Sequence, residues 1–314
     1  MLRYVDLVRK PKRFLALTAY TVDEFQALLS FFRVCFQAYV SIFTLEGQPR
    51  RNRSYSPYKN SILPTMEDKL LFILSYMKTY PLQQSQAQLF GMEQSQANQW
   101  IHLLLPLVKW SLAKCGELPA RKKEDFNLDE DEAGLFFHDG TERPINRPQD
   151  PEEQDLYYSG KKKQNTVKND VLSDERCKVR FLSETVEGRK NDKRLADESG
   201  YRVPAGSVLV QDAGFQGFEL EGVFILQPRK KPRGGELSYA DKVRNRLISS
   251  IRVRVEHTIG GVKRYRIAKD KLRNWKAGFR DLVMETCCGL HNFRLNFRPW
   301  NYKPVTYIGH LLKC

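Results

Sequence analysis

The chain has no long apolar run. Its most hydrophobic stretches, such as residues 69–77 and 101–108, are far too short to cross a bilayer, and the opening MLRYVDLVRKPKRF lacks the uninterrupted apolar core of a secretion signal. These absences argue against a membrane or exported protein and point to the cytoplasm of a prokaryote, with a nucleus as the alternative. Cysteine pairing is missing as well. None of the six cysteines forms a CxxC pair or has spaced histidine partners, which excludes a zinc module or a disulfide framework and leaves reduced, mostly buried thiols. Acid is scarce relative to base: 37 Asp and Glu face 52 Lys and Arg, for a net charge of +15. Such a surplus favours a polyanionic partner, nucleic acid above all.

At 314 residues there is room for one large domain with a small one, or for two of medium size. Residues 116–133, GELPARKKEDFNLDEDEA, have no apolar period and change from basic to acidic within a few positions, which makes them the expected linker. Before the linker the pattern is helical. Thr21 and Glu24 fit a capping box, and Val22, Phe25, Leu28, Leu29 and Phe32 recur at helical spacing. Residues 1–60 thus read as a helical segment with a basic, tyrosine-bearing loop, RRNRSYSPYKN. Residues 61–115 then read as three helices, over 67–79, 82–90 and 94–105, with Gly91 between the second and third. Leu89, Ala97, Trp100 and Ile101 are expected to face a small core. Gln96, Asn98, Gln99 and His102 fall on other faces, where Gln96 and Gln99 are candidates for DNA contact in a helix-turn-helix.

After the linker the period changes to two. Residues 134–139, 165–172, 177–186, 207–212 and 223–228 read as strands, a short helix falls before the fourth, and long helices cover 238–262 and 279–297. The expected class is α/β: a mixed sheet flanked by helices over 134–298, with 299–314 as a tail.

One acid in this half is conspicuous. In IRVRVEHTIGGVKRYR, residues 251–266, Glu256 stands alone among Arg252, Arg254, Lys263, Arg264 and Arg266. A surface ion pair would explain it, unless partners for a metal site exist elsewhere. Asp139 and Asp212 are such partners, since each is read as ending an apolar strand before a glycine-bearing loop. Phosphodiester chemistry needs hard oxygen ligands for Mg²⁺ or Mn²⁺, commonly two ions, and three carboxylates from separate elements supply that set. On a continuous helix Arg252, Glu256 and Lys263 fall within roughly 60° of one face, so the same helix would offer a carboxylate flanked by cations.

DGTERPI, YYSGKKKQNTVKN, VLVQDAGFQGF, QPRKKPRG and the R-x-x-x-E-x-x-x-x-x-x-K spacing resemble the DDE superfamily endonucleases of bacterial insertion sequences, with eukaryotic PIF/Harbinger transposases as more distant relatives. The resemblance covers about residues 139–297, and the preceding helices resemble the helix-turn-helix of that family. Ser249 departs from it where many of these transposases carry tyrosine, as does Asn165 where histidine is more usual. The resemblance implies a ribonuclease-H-like fold, Asp139, Asp212 and Glu256 as catalytic and metal-binding triad, and Arg252 and Lys263 as DNA-binding positions. It further implies a transposase that binds terminal inverted repeats, cuts the ends of its element and joins them to target DNA, working on double-stranded DNA as a dimer or larger assembly. With that triad, the clusters Lys161, Lys162, Lys163 and Arg229, Lys230, Lys231, Arg233 become phosphate-contact candidates. A non-catalytic DNA-binding derivative and another ribonuclease-H-like nuclease are the rival readings.

Overall fold

The computed structural model describes residues 1–51, 54–56, 61–125 and 133–313. Parts of two expected segments, the basic tyrosine-bearing loop (52–53 and 57–60) and the linker (126–132), lie outside the described residues, as does Cys314. Helices α1 (Tyr4–Leu7), α2 (Pro11–Thr18), α3 (Val22–Ile42), α4 (Met66–Thr79), α5 (Gln83–Phe90) and α6 (Gln94–Lys114) come first. Strand β1 (Leu135–Pro144), helix α7 (Pro151–Tyr157), strands β2 (Tyr158–Ser159), β3 (Gln164–Asp174), β4 (Val179–Leu182) and β5 (Val186–Glu187) and helix α8 (Asp192–Ser199) follow. Strands β6 (Val208–Gln211) and β7 (Phe224–Leu226) and helices α9 (Tyr239–Val262), α10 (Phe279–Leu295) and α11 (Ile308–Lys313) complete the order. Two compact units result: Met1–Leu118 with Val262–Phe297, and Pro119–Gly261 with Arg298–Cys314.

The first unit is all-helical. Thr21 accepts from the Glu24 N–H and Glu24 from the Thr21 N–H, so the capping box read from the sequence starts α3. By length and composition α3 is apolar enough to cross a membrane, but Phe25, Leu28, Leu29, Phe32, Cys35 and Phe36 are buried in the core of this unit. Gly91, in the left-handed conformation at φ 70°, ends α5 and turns the chain toward α6, whose N-terminus is held by a Glu93–Gln96 capping box. Leu89 is exposed, while Phe90 and Ala87 are buried in the place it was expected to take. Helix α6 continues nine residues past its expected end, through Pro106. The interruption is tolerated because Leu107, Val108, Ser111 and Leu112 beyond it are all buried. Helix α10, expected in the second domain, packs in this unit. Tyr20 donates to the Leu290 carbonyl at 2.7 Å, Asn292 to the Glu117 carbonyl at 3.0 Å, and Lys109 pairs with Glu285 at 2.8 Å.

Lys69 on α4 is fully buried. Its ammonium donates to the Leu63 carbonyl at 2.6 Å and lies 5.4 and 5.7 Å from the ring centres of Phe36 and Trp100. Burial pulls it from 10.5 down to about 8, against the opposing pull of Asp68 and Glu67. Between those two values the unfolded chain holds a proton that the folded chain does not, so Lys69 makes stability rise with pH from about 8 upward. Denaturant titrations at pH 7.5 and 9.5 should therefore show wild type gaining roughly 2 kcal/mol relative to Lys69→Met. Equal pH dependence in the two proteins would contradict the lowered value.

The second unit is a mixed sheet in the order β2-β3-β1-β6-β7, seven strands among the described residues, with β4 and β5 also on β3. β1 runs antiparallel to β3 and parallel to β6, and β6 parallel to β7. The free edge of β3 is shared in turn by β2, β5 and β4. This is the ribonuclease-H-like arrangement expected from the sequence. Alternation assigns the two faces. Phe136, Leu172, Phe181 and Leu209 turn to one side, with Ala196, Tyr201, Phe215 and Phe218, while Phe137, Val210 and Leu226 turn to the other, against Ile248, Ile251 and Val255 of α9. Within the expected tail, the described residues pack on this unit. Arg254 stacks on Tyr302 at 4.7 Å and donates to the Lys303 carbonyl, and Leu311 joins the α9 side of the core. The described cysteines are free thiols, four of them buried.

Candidate active site

The parallel ladder between β1 and β6 ends at the pair His138–Gln211. The next residues, Asp139 and Asp212, therefore leave the ladder side by side, about one strand spacing, ~4.8 Å, apart along the backbone. Because Phe137 and Val210 face α9, the period of two sends Asp139 and Asp212 to that same face. Asp139 does not end its strand as expected. β1 continues to Pro144, paired only with β3, so the edge at Asp139 is open on the β6 side alone. The Asp212 carboxylate accepts from the Ala213 N–H at 2.8 Å, which fixes its direction at the start of a short 3₁₀ turn.

Helix α9 supplies the third carboxylate. Ile248, Ile251 and Val255 seat the helix on the sheet, and Arg252 and Glu256 occupy successive turns beside that stripe. The Arg252 guanidinium is 3.7 Å from Asp139, 3.6 Å from Asp212 and 3.9 Å from Glu256. One cation thus stands among all three expected triad members. Exposure increases from Asp139 (21%) through Asp212 (41%) to Glu256 (59%). The Asp139 carboxyl is pushed up to about 6, chiefly by burial and further by the Asp212 carboxylate, while Arg252, His138 and the Gly140 N–H oppose the rise. Helix α9 ends at Val262, so Lys263, expected on the same helical face, follows one residue after the helix.

Among the described residues no three His, Cys, Asp or Glu side chains are gathered into a ready metal cage. The donor chemistry nevertheless fits a hard divalent cation. The site offers three carboxylates and no soft ligand, one of the carboxylates is raised chiefly by burial and further by its neighbour's charge, and all three are already drawn around a positive group. Asp139, Asp212 and Glu256 are the residues that would hold it.

On the opposite face of the same strands lies a polar row that the sequence reading missed. His138 is fully buried, with Nε2 2.5 Å from Asp170 of β3 and Nδ1 3.4 Å from the Gln211 side chain, and Gln211 donates to Gln227 at 2.9 Å. The signal was present in the strand pattern, because His138 and Gln211 each interrupt an apolar alternation one residue before an aspartate. Glu142, three residues beyond Asp139 on β1, accepts from Thr166 at 2.9 Å and lies 4.0 Å from Lys168.

Both basic clusters of this unit sit at the sheet end toward which β1 and β6 run. Lys161, Lys162 and Lys163 form the exposed turn between β2 and β3, about 24 Å beyond Asp139 along the strand direction. Arg229 and Lys230 follow β7 and line a cleft of about 430 Å³ with Gln216, Gln227, Pro228 and Arg244, and Lys231 and Arg233 continue the exposed loop. Arg229 is braced by Asp241 at 2.6 Å. In the helical unit, Gln99 is exposed near the start of α6. Gln96 is exposed there too, but its side chain closes the helix cap on the Glu93 N–H. His102 is partly covered, within 3.3 Å of Asn274.

Comparison with known proteins gives two family matches. The family described as DDE superfamily endonuclease matches residues 138–292, and the helix-turn-helix of DDE superfamily endonuclease matches residues 63–114. Relatives named as the probable or presumed transposases of insertion sequence elements IS702, from Microchaete diplosiphon, and IS112, from Streptomyces albus G, are each 26% identical over 234 residues. These matches span 73% and 74% of this chain and 81% and 80% of the relatives. No solved structure matches the chain significantly.

Proposed function

The chain belongs to the DDE superfamily of endonucleases and carries that family's helix-turn-helix, and from that premise we propose that it is a DNA transposase. It binds the terminal inverted repeats of its insertion sequence and catalyses metal-dependent end cleavage and strand transfer through Asp139, Asp212 and Glu256. The observation that carries this reading is the convergence of three carboxylates from β1, β6 and α9 on one cation at an open sheet edge.

Mg²⁺ or Mn²⁺, as two ions, would supply charge neutralisation at the phosphate and polarise the attacking oxygen. Asp139 and Asp212 contribute rigidity, because backbone pairing holds their Cα atoms on adjacent strands. Glu256, the most exposed of the three, closes the site from the helix side. Water attacks the scissile phosphorus and the 3′-oxygen leaves as a hydroxyl. That hydroxyl then attacks a target phosphodiester at the same carboxylates, forming the new P–O bond as the target's own 3′-oxygen leaves as a hydroxyl, so no side-chain nucleophile is needed. Joining two ends to one target calls for a dimer or larger assembly, acting where the DNA lies, on the nucleoid in the cytoplasm of a prokaryote. Helix α6 presents Gln96 and Gln99 toward base edges or phosphates. Lys161, Lys162, Lys163, Arg229, Lys230, Lys231 and Arg233 track the backbone, with Arg252 and Lys263 as further phosphate contacts.

Cleavage of a plasmid carrying the gene's own flanking DNA, in Mg²⁺ or Mn²⁺, tests the proposal. Metal-dependent cuts confined to the repeat ends are expected. Tight end binding with no cutting in either metal would favour a DNA-binding derivative, and cutting that ignores the ends would favour a general nuclease. The basic turn makes a separate prediction. Replacing Lys161, Lys162 and Lys163 by alanine should lower the slope of log affinity against log salt by up to about 3, read by anisotropy of a labelled end fragment across a KCl series. An unchanged slope would put the DNA elsewhere.

A further inference from the structure

Arg252 is held in an unusual way for a half-buried arginine. Its side chain is 15% exposed and its guanidinium faces three carboxylates, yet every contact is 3.6–3.9 Å long. Charge-assisted hydrogen bonds close at about 2.7–2.9 Å, and arginine normally takes a carboxylate in a two-pronged grip. Here Nη1 lies toward Asp212 and Nη2 is shared between Asp139 and Glu256, so the group serves as a diffuse positive charge among three acids. Nothing in that arrangement locks it in place.

Resting on the transposase reading above, we propose that Arg252 is the resident counter-cation of the metal-free triad, is displaced when the divalent ion enters, and then engages a DNA phosphate. The geometry makes the two cations exclusive. Oxygens that ligate Mg²⁺ come within about 2.1 Å of it, so the three carboxylates must close over the space the guanidinium holds apart. Charge leads to the same conclusion. Three carboxylates with one arginine retain a negative charge that attracts a divalent ion, but two such ions beside the arginine would leave the site positive until a phosphate arrives. A long, flexible side chain one helical turn from Glu256 can swing outward without moving α9. In one position Arg252 keeps like charges from repelling, and in the other it contacts the substrate.

Mn²⁺ binding to the full-length, DNA-free protein tests this, with arginine-selective modification by phenylglyoxal mapped by mass spectrometry as a second readout. Arg252→Gln should tighten Mn²⁺ binding roughly tenfold while weakening end cleavage by about a hundredfold, opposite signs that a merely structural residue would not give. In wild type, Mn²⁺ should accelerate modification of Arg252 as the guanidinium leaves the carboxylates. Mn²⁺ affinity unchanged in Arg252→Gln, or Arg252 reactivity unchanged or reduced by Mn²⁺, would overturn the proposal and leave the transposase reading intact. Mn²⁺ binding that survives Asp139→Asn and Asp212→Asn would overturn both. The modification experiment requires no variant, so it decides the matter alone if Arg252→Gln does not fold.

Discussion

Asp139→Asn, Asp212→Asn and Glu256→Gln should each lose at least about a thousandfold in cutting at the element's ends, roughly 4 kcal/mol of barrier, while binding to those ends survives. The loss is expected to be near-total because an amide keeps the shape of the carboxylate but not the charge, and charge at this site is what holds the metal. The separation of cutting from binding is expected because the helix-turn-helix residues belong to the other compact unit. Stability distinguishes this outcome from simple misfolding. Asp139 is the least exposed of the three and is strained by burial and by Asp212, so Asp139→Asn removes a destabilising charge from the metal-free protein. Its melting temperature in EDTA should equal or exceed that of wild type by a few degrees. A variant that is inactive and more stable has lost chemistry and kept its fold. An Asp139→Asn protein that still cuts in Mg²⁺ would remove this residue from the triad.

What the sequence disclosed and what it concealed divide along physical lines. Strand alternation was readable where each strand is apolar, and it marked Asp139 and Asp212 as acids at the ends of two such strands. The extension of β1 through Gly140 and Pro144 was not readable, because both residues ordinarily argue against a strand. Pro144 is tolerated at the last residue of β1, where the β6 side carries no partner. The rotation of α9 was open in the sequence, since Ile251, Val253, Val255 and Ile259 suggest no single stripe. Burial of Ile248, Ile251 and Val255 settles it and thereby turns Arg252 toward the aspartates. The partner of an apolar helix is the hardest thing to infer. The stripe of α10 announced burial, but only packing revealed that its neighbours are the N-terminal helices. The tail failed for the opposite reason: Tyr302 and Leu311 look unremarkable until Arg254 and the α9 side of the core are placed beside them.

The polar row behind the triad leads to the second large effect. Asp170, His138 and Gln211 come from β3, β1 and β6, and Gln227 directly follows β7, so the row links four neighbouring chain segments one residue before the two aspartates. The His138 contacts lie in the sheet's interior, and the Gln211–Gln227 contact reaches the partly exposed end beyond β7. His138 and Asp170 are 0% and 1% exposed, and His138 is packed 4.0 Å from the Phe215 ring centre. Removing one partner of such a buried pair leaves the other without compensation, a loss of about 3–5 kcal/mol. Asp170→Ala should therefore lower the denaturation free energy by that amount and the melting temperature by roughly 10 °C. Asp170→Asn should lose far less, because its amide oxygen can still accept from the imidazole. At temperatures where both variants are folded, Asp170→Ala should also weaken Mn²⁺ binding, since relaxed registry between β1 and β6 separates Asp139 from Asp212. If Asp170→Ala unfolds like wild type, the row is incidental to the fold. If it is destabilised but binds Mn²⁺ normally, the ladder alone positions the aspartates and His138 has no part in their spacing.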